Sequence, residues 1–369
     1  MKKRLLAIIA TAAMVVTMIP SMVFADSTVT EVATYEQLVT ALRNGEDVKL
    51  TDDIEVNPWY KIGKPCKPST DGAFDLTGVT IDGNGKTIKI KTVESASNGE
   101  YLFSSKGGCV FKNLTFDFTS EEESGALAAI DAGANDVIEN VTILGNGADY
   151  GIMLEVGEVV TIKNCTFKNL NYGTYGDPDK NTGKVPTVKI TGSTFENCKV
   201  VSIIRGDDSV FSGNTVENGK LNVLGETEVT DNTFTVTDEG SNFEDNGRIK
   251  FYYENSAAAF SGNKLNEDVY IDVDSEDVVV PTLGQNTYED PQTALEYLDD
   301  EELIEEIAKE AEEYTANKNA NDTPAPTPGT TAKPDNSPNT GDNSMAPIAV
   351  AGLVMAAMAA TVAVRRRTN

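Results

Sequence analysis

The sequence predicts an all-β solenoid, a parallel β-helix, on three observations. A short unit recurs seven times between Cys109 and Leu265, about every twenty to thirty residues. Each unit joins two short stretches of β-branched and aromatic residues in which apolar side chains alternate. Between them, at one fixed place, stands a residue of a type that tolerates a positive φ. Such a unit cannot bury its apolar face alone, so we expect successive units to stack.

Five columns of equivalent residues define the unit, and we expect each column to form one row of the stack. The anchor column holds Phe116, Ile143, Phe167, Phe195, Val216, Phe234 and Leu265. One residue earlier stand Thr115, Thr142, Thr166, Thr194, Thr215 and Thr233, with Lys264 as the exception. Three residues before the anchors, the turn column holds Asn113, Asn140, Asn164, Gly192, Gly213, Asp231 and Gly262. Five residues before stand Phe111, Ile138, Ile162, Ile190, Phe211, Val229 and Phe260. An earlier, degenerate copy ends at Ile88.

The fifth column, two residues before the anchors, points inward because side chains alternate along a strand. Its members are Leu114, Val141, Cys165, Ser193, Asn214, Asn232 and Asn263. The last three are predicted to form an asparagine ladder, with amide bonded to amide from coil to coil. Of the four cysteines, Cys109 and Cys165 fall on inward positions, which favours buried free thiols. One disulfide bridge, involving Cys66 or Cys198, is the alternative.

These columns resemble the right-handed β-helix family, the pectate-lyase-like solenoids. The resemblance covers about residues 47–288 and implies a right-handed coil. It implies no single activity, because adhesins, tail spikes, lyases, hydrolases and epimerases share that fold.

The chain begins with the pattern of a secretory signal peptide, residues 1–25. Lys2, Lys3 and Arg4 precede an apolar run, and a small-residue cleavage site ends at Ala25. A first transmembrane helix is the alternative, although a second and longer apolar segment closes the chain. We therefore expect the protein to be secreted.

Residues 26–46 are predicted to cap the solenoid at its N-terminal end. Thr34 and Gln37 have the spacing of a capping box, and Leu38, Ala41 and Leu42 share one helical face. A short amphipathic helix in this position would cover the first coil, whose edge would otherwise pair with another chain.

The stretches between the units vary in length and are predicted to be loops that leave one side of the stack. They are residues 89–108, 117–135, 168–187 and 235–257. Aromatic residues in two of these loops and in the long first loop are candidates for stacking on sugar rings. These residues are Trp59, Tyr60, Tyr172, Tyr175, Tyr252 and Tyr253. Ordinary packing within the loops is the alternative.

Asp207 and Asp208, followed downstream by Arg248 and Lys250, are similar to two fragments of the polygalacturonase pattern. In that family, paired acids cleave a glycosidic bond and a basic pair holds the uronate carboxylate. The family's glycine-histidine-glycine element has no counterpart, because the chain contains no histidine. A plain turn, where aspartate is common, is the alternative for Asp207 and Asp208.

The missing histidine also excludes the usual serine and cysteine triads, histidine-bound zinc and histidine general-base chemistry. Carboxylate chemistry and a pectate-lyase-like, calcium-dependent mechanism remain open. Asp272, Asp274 and Glu276 alternate with Ile271 and Val273, so they would form an acidic ridge suited to calcium. The alternative is a solvated outer face that resists strand pairing. Apart from this calcium, no cofactor is predicted.

Residues 289–314 predict an acidic helix that follows the solenoid. Asp290 is its expected N-cap, Pro291 its first residue, and Ile304 and Ile307 belong to its apolar stripe. The helix either caps the last coil or forms an acidic stalk. Residues 315–336 are rich in Pro, Thr, Asn and Ala, which is typical of a disordered linker.

Near the end of the chain, Pro338, Thr340 and Gly341 lie in a short motif before an apolar run, residues 346–364, and three arginines. In this order of elements, residues 337–369 resemble the cell-wall sorting signal of Gram-positive surface proteins. The resemblance implies transient membrane insertion, cleavage by a sortase between Thr340 and Gly341, and attachment of Thr340 to peptidoglycan. Ser337 departs from the leucine of the commonest motif. A plain C-terminal membrane anchor is the alternative.

The chain carries 30 basic and 58 acidic residues, a net charge of −28. Such a surface disfavours nucleic acid as a partner. The sequence therefore indicates a secreted protein, covalently anchored to the cell wall of a Gram-positive bacterium, whose β-helix binds a glycan or host polymer. The alternative is a wall-tethered polysaccharide lyase or glycoside hydrolase that acts on an acidic polysaccharide. A passive spacer role is a third possibility.

Overall fold

The computed structural model describes residues 29–56, 76–90, 100–119, 127–154, 158–178, 183–237, 243–281 and 283–298, together with residues 305, 307 and 309. Its elements, in chain order, are β1 (Thr30–Val32), α1 (Tyr35–Arg43), β2 (Val48–Leu50), β3 (Ile54–Val56), β4 (Leu76–Thr77), β5 (Thr80–Ile90), β6 (Glu100–Gly107), β7 (Val110–Asp117), β8 (Leu127–Ala132), β9 (Val137–Glu139), β10 (Thr142–Leu144), β11 (Tyr150–Leu154), β12 (Val160–Lys163), β13 (Thr166–Lys168), β14 (Tyr172–Gly176), β15 (Val188–Thr191), β16 (Thr194–Glu196), β17 (Val200–Ile204), β18 (Ser209–Ser212), β19 (Thr215–Glu217), β20 (Lys220–Val223), β21 (Thr227–Thr230), β22 (Thr233–Thr235), β23 (Arg248–Phe251), β24 (Ala257–Ser261), β25 (Lys264–Leu265), β26 (Tyr270–Val273), a short 3-10 helix (Leu283–Gln285), β27 (Thr287–Tyr288) and α2 (Pro291–Leu295).

The strands form three ladders of parallel strands that wind around one apolar core. The first ladder runs through β1, β2, β5, β7, β9, β12, β15, β18, β21 and β24. The second runs through β3, β5, β7, β10, β13, β16, β19, β22, β25 and β27. β5 and β7 bend at the turn and serve both. The third runs from β4 through β6, β8, β11, β14, β17, β20 and β23 to β26. The predicted parallel β-helix is therefore confirmed.

The predicted rows align in the structure. Each anchor pairs in register with the next, from Phe116 and Ile143 to Phe234 and Leu265. All seven anchors are buried. The seven turn residues all have positive φ, between 53° at Asn113 and 70° at Gly262. Only asparagine, aspartate and glycine adopt this conformation readily, which explains the composition of that column. The anchor row also extends in both directions, from Ile54 to Tyr288.

The prediction that the four stretches between the units are loops is wrong, because each contains a strand of the third ladder. β6, β8, β14 and β23 lie within the four stretches predicted to leave the stack. Their apolar pattern is weak because several inward positions hold small residues. At Gly151 a Cβ atom would lie 2.8 Å from the Phe167 ring, and at Gly173 it would lie 2.8 Å from the Phe195 ring. A backbone oxygen of the next coil would lie even closer to each of these Cβ atoms, so the coil and the aromatic anchors together leave room only for glycine there.

The inward asparagine ladder is confirmed and is longer than predicted. The amide nitrogen of Asn214 donates to Asn232 (3.1 Å), that of Asn232 to Asn263 (3.0 Å), and that of Asn263 to Asn286 (3.0 Å). Each side-chain oxygen also accepts from the backbone N–H of the preceding asparagine, and the Asn214 oxygen accepts from Ser193 N. All these side chains are buried, so the ladder satisfies polar groups that water cannot reach.

Cys109, Cys165 and Cys198 are free and buried, which excludes the bridge considered for Cys198 with any of these. Cys66 lies outside the described residues. Burial raises the pKa of Cys165 to about 11 and that of Cys198 to about 12, and it raises the pKa of Cys109 as well. These thiols are therefore protonated and shielded at neutral pH.

In a thiol titration with an aromatic disulfide reagent at about pH 8, we expect the native protein to leave Cys109, Cys165 and Cys198 largely unreacted, because the reagent attacks only accessible thiolates. In denaturant, four thiols per chain should react. A count below four in denaturant would contradict the free-thiol prediction, and a sample reduced beforehand is the control.

The N-terminal end is capped as predicted. Thr34 accepts from Gln37 N (3.3 Å), and the Gln37 side chain accepts from Thr34 N (3.2 Å), which completes the capping box of α1. Leu38, Ala41 and Leu42 are buried against the core. The sequence analysis missed β1, which precedes the helix and pairs with β2. The solenoid thus begins at Thr30, before the cap rather than after it.

At the C-terminal end, the predicted N-cap is confirmed but a continuous helix to residue 314 is wrong. Asp290 accepts from Gln292 N (3.0 Å), yet α2 ends at Leu295. Tyr297 instead forms a parallel bridge with Asp272, and its ring packs 5.1 Å from that of Tyr270. This extra pairing extends the third ladder and interrupts the helix. Helical residues recur at positions 305, 307 and 309.

The segment after the last coil acts as a cap as far as it is described. Ala294, Leu295 and Ile307 are buried and belong to the same apolar core as the coils. The predicted signal peptide, linker and sorting signal, residues 1–25, 315–336 and 337–369, lie outside the described residues. Within the described part of the chain, no helix has the length and apolarity needed to cross a membrane.

Candidate functional site

The outer face of the third ladder brings together five of the predicted site residues: Tyr172, Tyr175, Arg248, Lys250 and Asp272. On β20, β23 and β26 the side chains on this face come from alternate positions, and intervening residues such as Ile249 and Ile271 point into the core. On β11, β14 and β17 two buried residues separate the two outer positions. One outer row follows the strand register from coil to coil: Met153, Tyr175, Ile203, Asn222, Lys250 and Asp272. The other outer row contains Tyr150, Tyr172, Val200, Lys220, Arg248 and Tyr270.

We call Tyr150, Tyr172 and Tyr175 the tyrosine cluster. The rings of Tyr150 and Tyr172 stack in parallel, 4.8 Å apart with an interplanar angle of 5°. Tyr175 meets both rings edge to face, at 5.9 and 5.0 Å. Tyr150 and Tyr172 therefore each cover one face of the other's ring, whereas the Tyr175 ring is perpendicular to both. Burial raises the pKa of Tyr150 and Tyr175, so both phenols stay neutral hydrogen-bond donors at neutral pH.

The charged cluster comprises Lys220, Arg248 and Lys250 with Asp245, Asp272 and Asp274. Lys220 and Arg248 pair with Asp245 at 3.1 and 3.0 Å. Lys250 pairs with Asp272 at 3.2 Å and with Asp274 at 2.9 Å, and Arg248 lies 3.8 Å from Asp272. Burial acts to lower the pKa of Lys250, but hydrogen bonds to Asp274 and Asp272 raise it overall. Each cation thus has at least one carboxylate partner.

The two halves of the catalytic hypothesis lie on different elements. Asp207 and Asp208 form the turn between β17 and β18, where Asp207 accepts from Glu226 N (2.9 Å) and Asp208 has a φ of 55°. Arg248 and Lys250 lie on β23. No hydrogen bond or ion pair joins the two pairs among the described residues, so the catalytic role stays a prediction.

The three residues of the predicted acidic ridge do not lie on one strand. Asp272 lies on β26, Asp274 follows it, and Glu276 is exposed in the next turn. Lys250 pairs with one oxygen of each of the first two, so its positive charge opposes a calcium ion there. Among the residues that the structure describes, no group of three or more His, Cys, Asp or Glu side chains is arranged to hold a metal. Calcium binding stays a prediction.

The aromatic residues predicted to bind sugars fall into three groups. Tyr172 and Tyr175 come together on β14, on a strand rather than the predicted loop. Tyr252 follows β23 with its ring 5.0 Å from the Lys250 ammonium, and Tyr253 beside it is 60% exposed. Trp59 and Tyr60 lie outside the described residues.

The sequence analysis missed Tyr150 and Asn222. A signal for Tyr150 existed, because the dipeptide Tyr-Gly occurs both at Tyr150-Gly151 and at Tyr172-Gly173, which occupy equivalent places in successive coils. No comparable pattern marks Asn222.

Comparison with known families gives one finding. A family model described as a right handed beta helix region matches residues 74–218 and, in an overlapping match, residues 130–276. Together these matches span more than half of the chain. Compared with curated proteins and with solved structures, the chain gives no significant match.

Proposed function

Because the chain belongs to the right-handed β-helix family, whose fold fits a carbohydrate-related surface module or enzyme, we propose that it is a surface binding module for a glycan or host polymer. The binding surface is the outer face of the third ladder, from the tyrosine cluster to the charged cluster.

The observation that carries this proposal is the order of side chains along the axis. From β11 to β26 the face spans five strand steps of about 4.8 Å, about 24 Å in all. Along this length, aromatic rings are followed by the aliphatic Val200 and Ile203 and then by amide, cationic and carboxylate groups. Sugars present apolar faces and hydroxyl edges in turn, so an extended chain of sugars matches such a surface.

The location of the protein belongs to the same proposal. The pattern of residues 1–25 supports export, and residues 337–369 support attachment to the cell wall by a sortase after transient membrane insertion. The solenoid would then face outward from the cell on its linker, within reach of an external polymer.

Tyr175→Ala in the intact chain is expected to weaken binding to the best ligand of a glycan panel about tenfold, because the face loses one half-buried aromatic ring. Thr215→Ala, on the outer face of the second ladder, is the matched control and should bind normally. Calorimetry or a plate assay measures both.

A panel without a ligand, or equal loss in both variants, would contradict the binding proposal. Release of reducing ends or of unsaturated uronate, with or without calcium, would instead support the lyase or hydrolase alternative.

A further inference from the structure

Two buried polar atoms in the middle of this face have no hydrogen-bond partner among the residues that the structure describes. One is the side-chain oxygen of Asn222, a residue that is 8% exposed, and the other is Nε of Arg248. Buried polar groups in proteins are almost always paired, because an unpaired one costs about 1–3 kcal/mol of stability. Asn222 lies in register between Ile203 and Lys250, on the outer side of β20. The face therefore holds one unused acceptor and one unused donor.

The charges around these atoms are balanced. Three cations and three carboxylates form the charged cluster, and each cation lies within 3.2 Å of a carboxylate oxygen. Within the charged cluster, a ligand carboxylate would find each cation already paired and would meet the carboxylates of Asp272 and Asp274. The net charge of −28 adds a general repulsion of anionic polymers. An uncharged ligand needs no free cation and is not repelled by the negative charge of the protein.

We propose that this face selects an uncharged, hydroxyl-rich glycan, with Asn222 accepting a hydrogen bond from a sugar hydroxyl and Arg248 Nε donating to a sugar oxygen. The proposal rests on the proposed binding function and names its ligand class. A hydroxyl both donates and accepts, so sugars supply the partners for both atoms. Tyr175, two strand steps or about 10 Å from Asn222, contacts another sugar of the same chain.

Two lysine side chains flank Asn222 on this face. Lys220 precedes it by two residues on β20, and Lys250 lies beside it on β23. Both are ion-paired and only 15% and 16% exposed, so the proposal includes a change of rotamer in one of them that lets a sugar hydroxyl reach the amide.

A pair of polymers with one backbone and different charge tests the ligand class. Polygalacturonate and its fully methyl-esterified form are titrated against the intact chain. We expect the ester to bind at least about tenfold more tightly, and its affinity to change less than about twofold when salt is raised tenfold, because no ion pair forms. Tighter binding of polygalacturonate, or a strong salt dependence for the ester, would overturn the proposal.

Asn222→Leu tests the assigned acceptor. We expect about tenfold weaker binding of the ester together with an unchanged or higher melting temperature, because the variant removes a buried oxygen that the fold does not use. A lower melting temperature, or normal binding, would overturn the assignment. Thr215→Ala serves again as the control for both readouts.

Asp272→Asn tests the charge balance in the opposite direction. Removing this carboxylate leaves Lys250 and Arg248 with one acidic partner each, so affinity for polygalacturonate should rise about fivefold while that for the ester stays constant. An unchanged preference would count against the charge argument.

The two proposals fail in different ways. If no glycan binds, the binding function is wrong. If polygalacturonate binds more tightly than its ester and Tyr175→Ala still weakens that binding, the function stands and the ligand class is wrong.

Discussion

Asn232→Ala is expected to lower the free energy of unfolding by about 4 kcal/mol. The Asn232 side chain is buried in the middle of the asparagine ladder. Its oxygen accepts from the backbone and side-chain nitrogens of Asn214, and its nitrogen donates to Phe211 O (2.8 Å) and to Asn263. Alanine leaves at least two of these groups unpaired in the core, at roughly 1–3 kcal/mol each. Urea denaturation followed by circular dichroism measures the change.

The matched control is Thr215→Ala, on the exposed outer face one coil earlier, which should change stability by less than about 0.5 kcal/mol. A loss below about 1 kcal/mol for Asn232→Ala would mean that the ladder is not the main hydrogen-bond system of this part of the core.

Phe195→Ala is expected to cost a similar amount, about 4 kcal/mol. The Phe195 ring is fully buried, stacks on Phe167 at 4.7 Å and packs against Phe211 at 5.8 Å. Its other neighbour across the core is Gly173, which has no side chain to fill the space left by the ring. The cavity therefore persists, and the loss includes both burial and packing. The same urea experiment gives the value.

Phe195→Leu provides the graded comparison, because it keeps most of the apolar volume. We expect it to cost less than half as much as alanine. Equal losses for the two variants would indicate strain from the leucine shape rather than a cavity effect.

Two of the three ladders could be predicted from sequence because each coil carries a turn residue that only a few residue types can replace. Asn113 and Gly262 mark the same place in distant coils, and the anchors follow at a fixed offset. The turn before the third ladder has a marker in only some coils: Asn169, Asn197 and Asn218, also with positive φ, stand two residues after three of the anchors, and the sequence prediction did not use them. Some inward positions of the third ladder are occupied by glycine because the space there is already filled by neighbouring atoms. Glycine is common in loops, so Gly151 and Gly173 do not indicate a strand in the sequence.

The candidate site was predictable to the same limited degree. Tyr172 and Tyr175 could be selected as aromatic residues of one stretch. The approach of Tyr150, and the neutralisation of Arg248 and Lys250 by carboxylates, arise only when strands distant in sequence become neighbours. The end of α2 at Leu295 has the same origin, because Tyr297 pairs with a strand that the local helical pattern does not reveal.

The register of the ladders also bears on how such a protein changes over generations. Each coil contacts only the coils above and below it, and equivalent residues repeat at one strand spacing. A tandem duplication of one coil would therefore add one coil to the solenoid and leave the capping segments at its two ends unchanged. Each such event would lengthen the outer face of the third ladder by about 4.8 Å. If that face binds a glycan as proposed, it would hold more sugars without any change in the core.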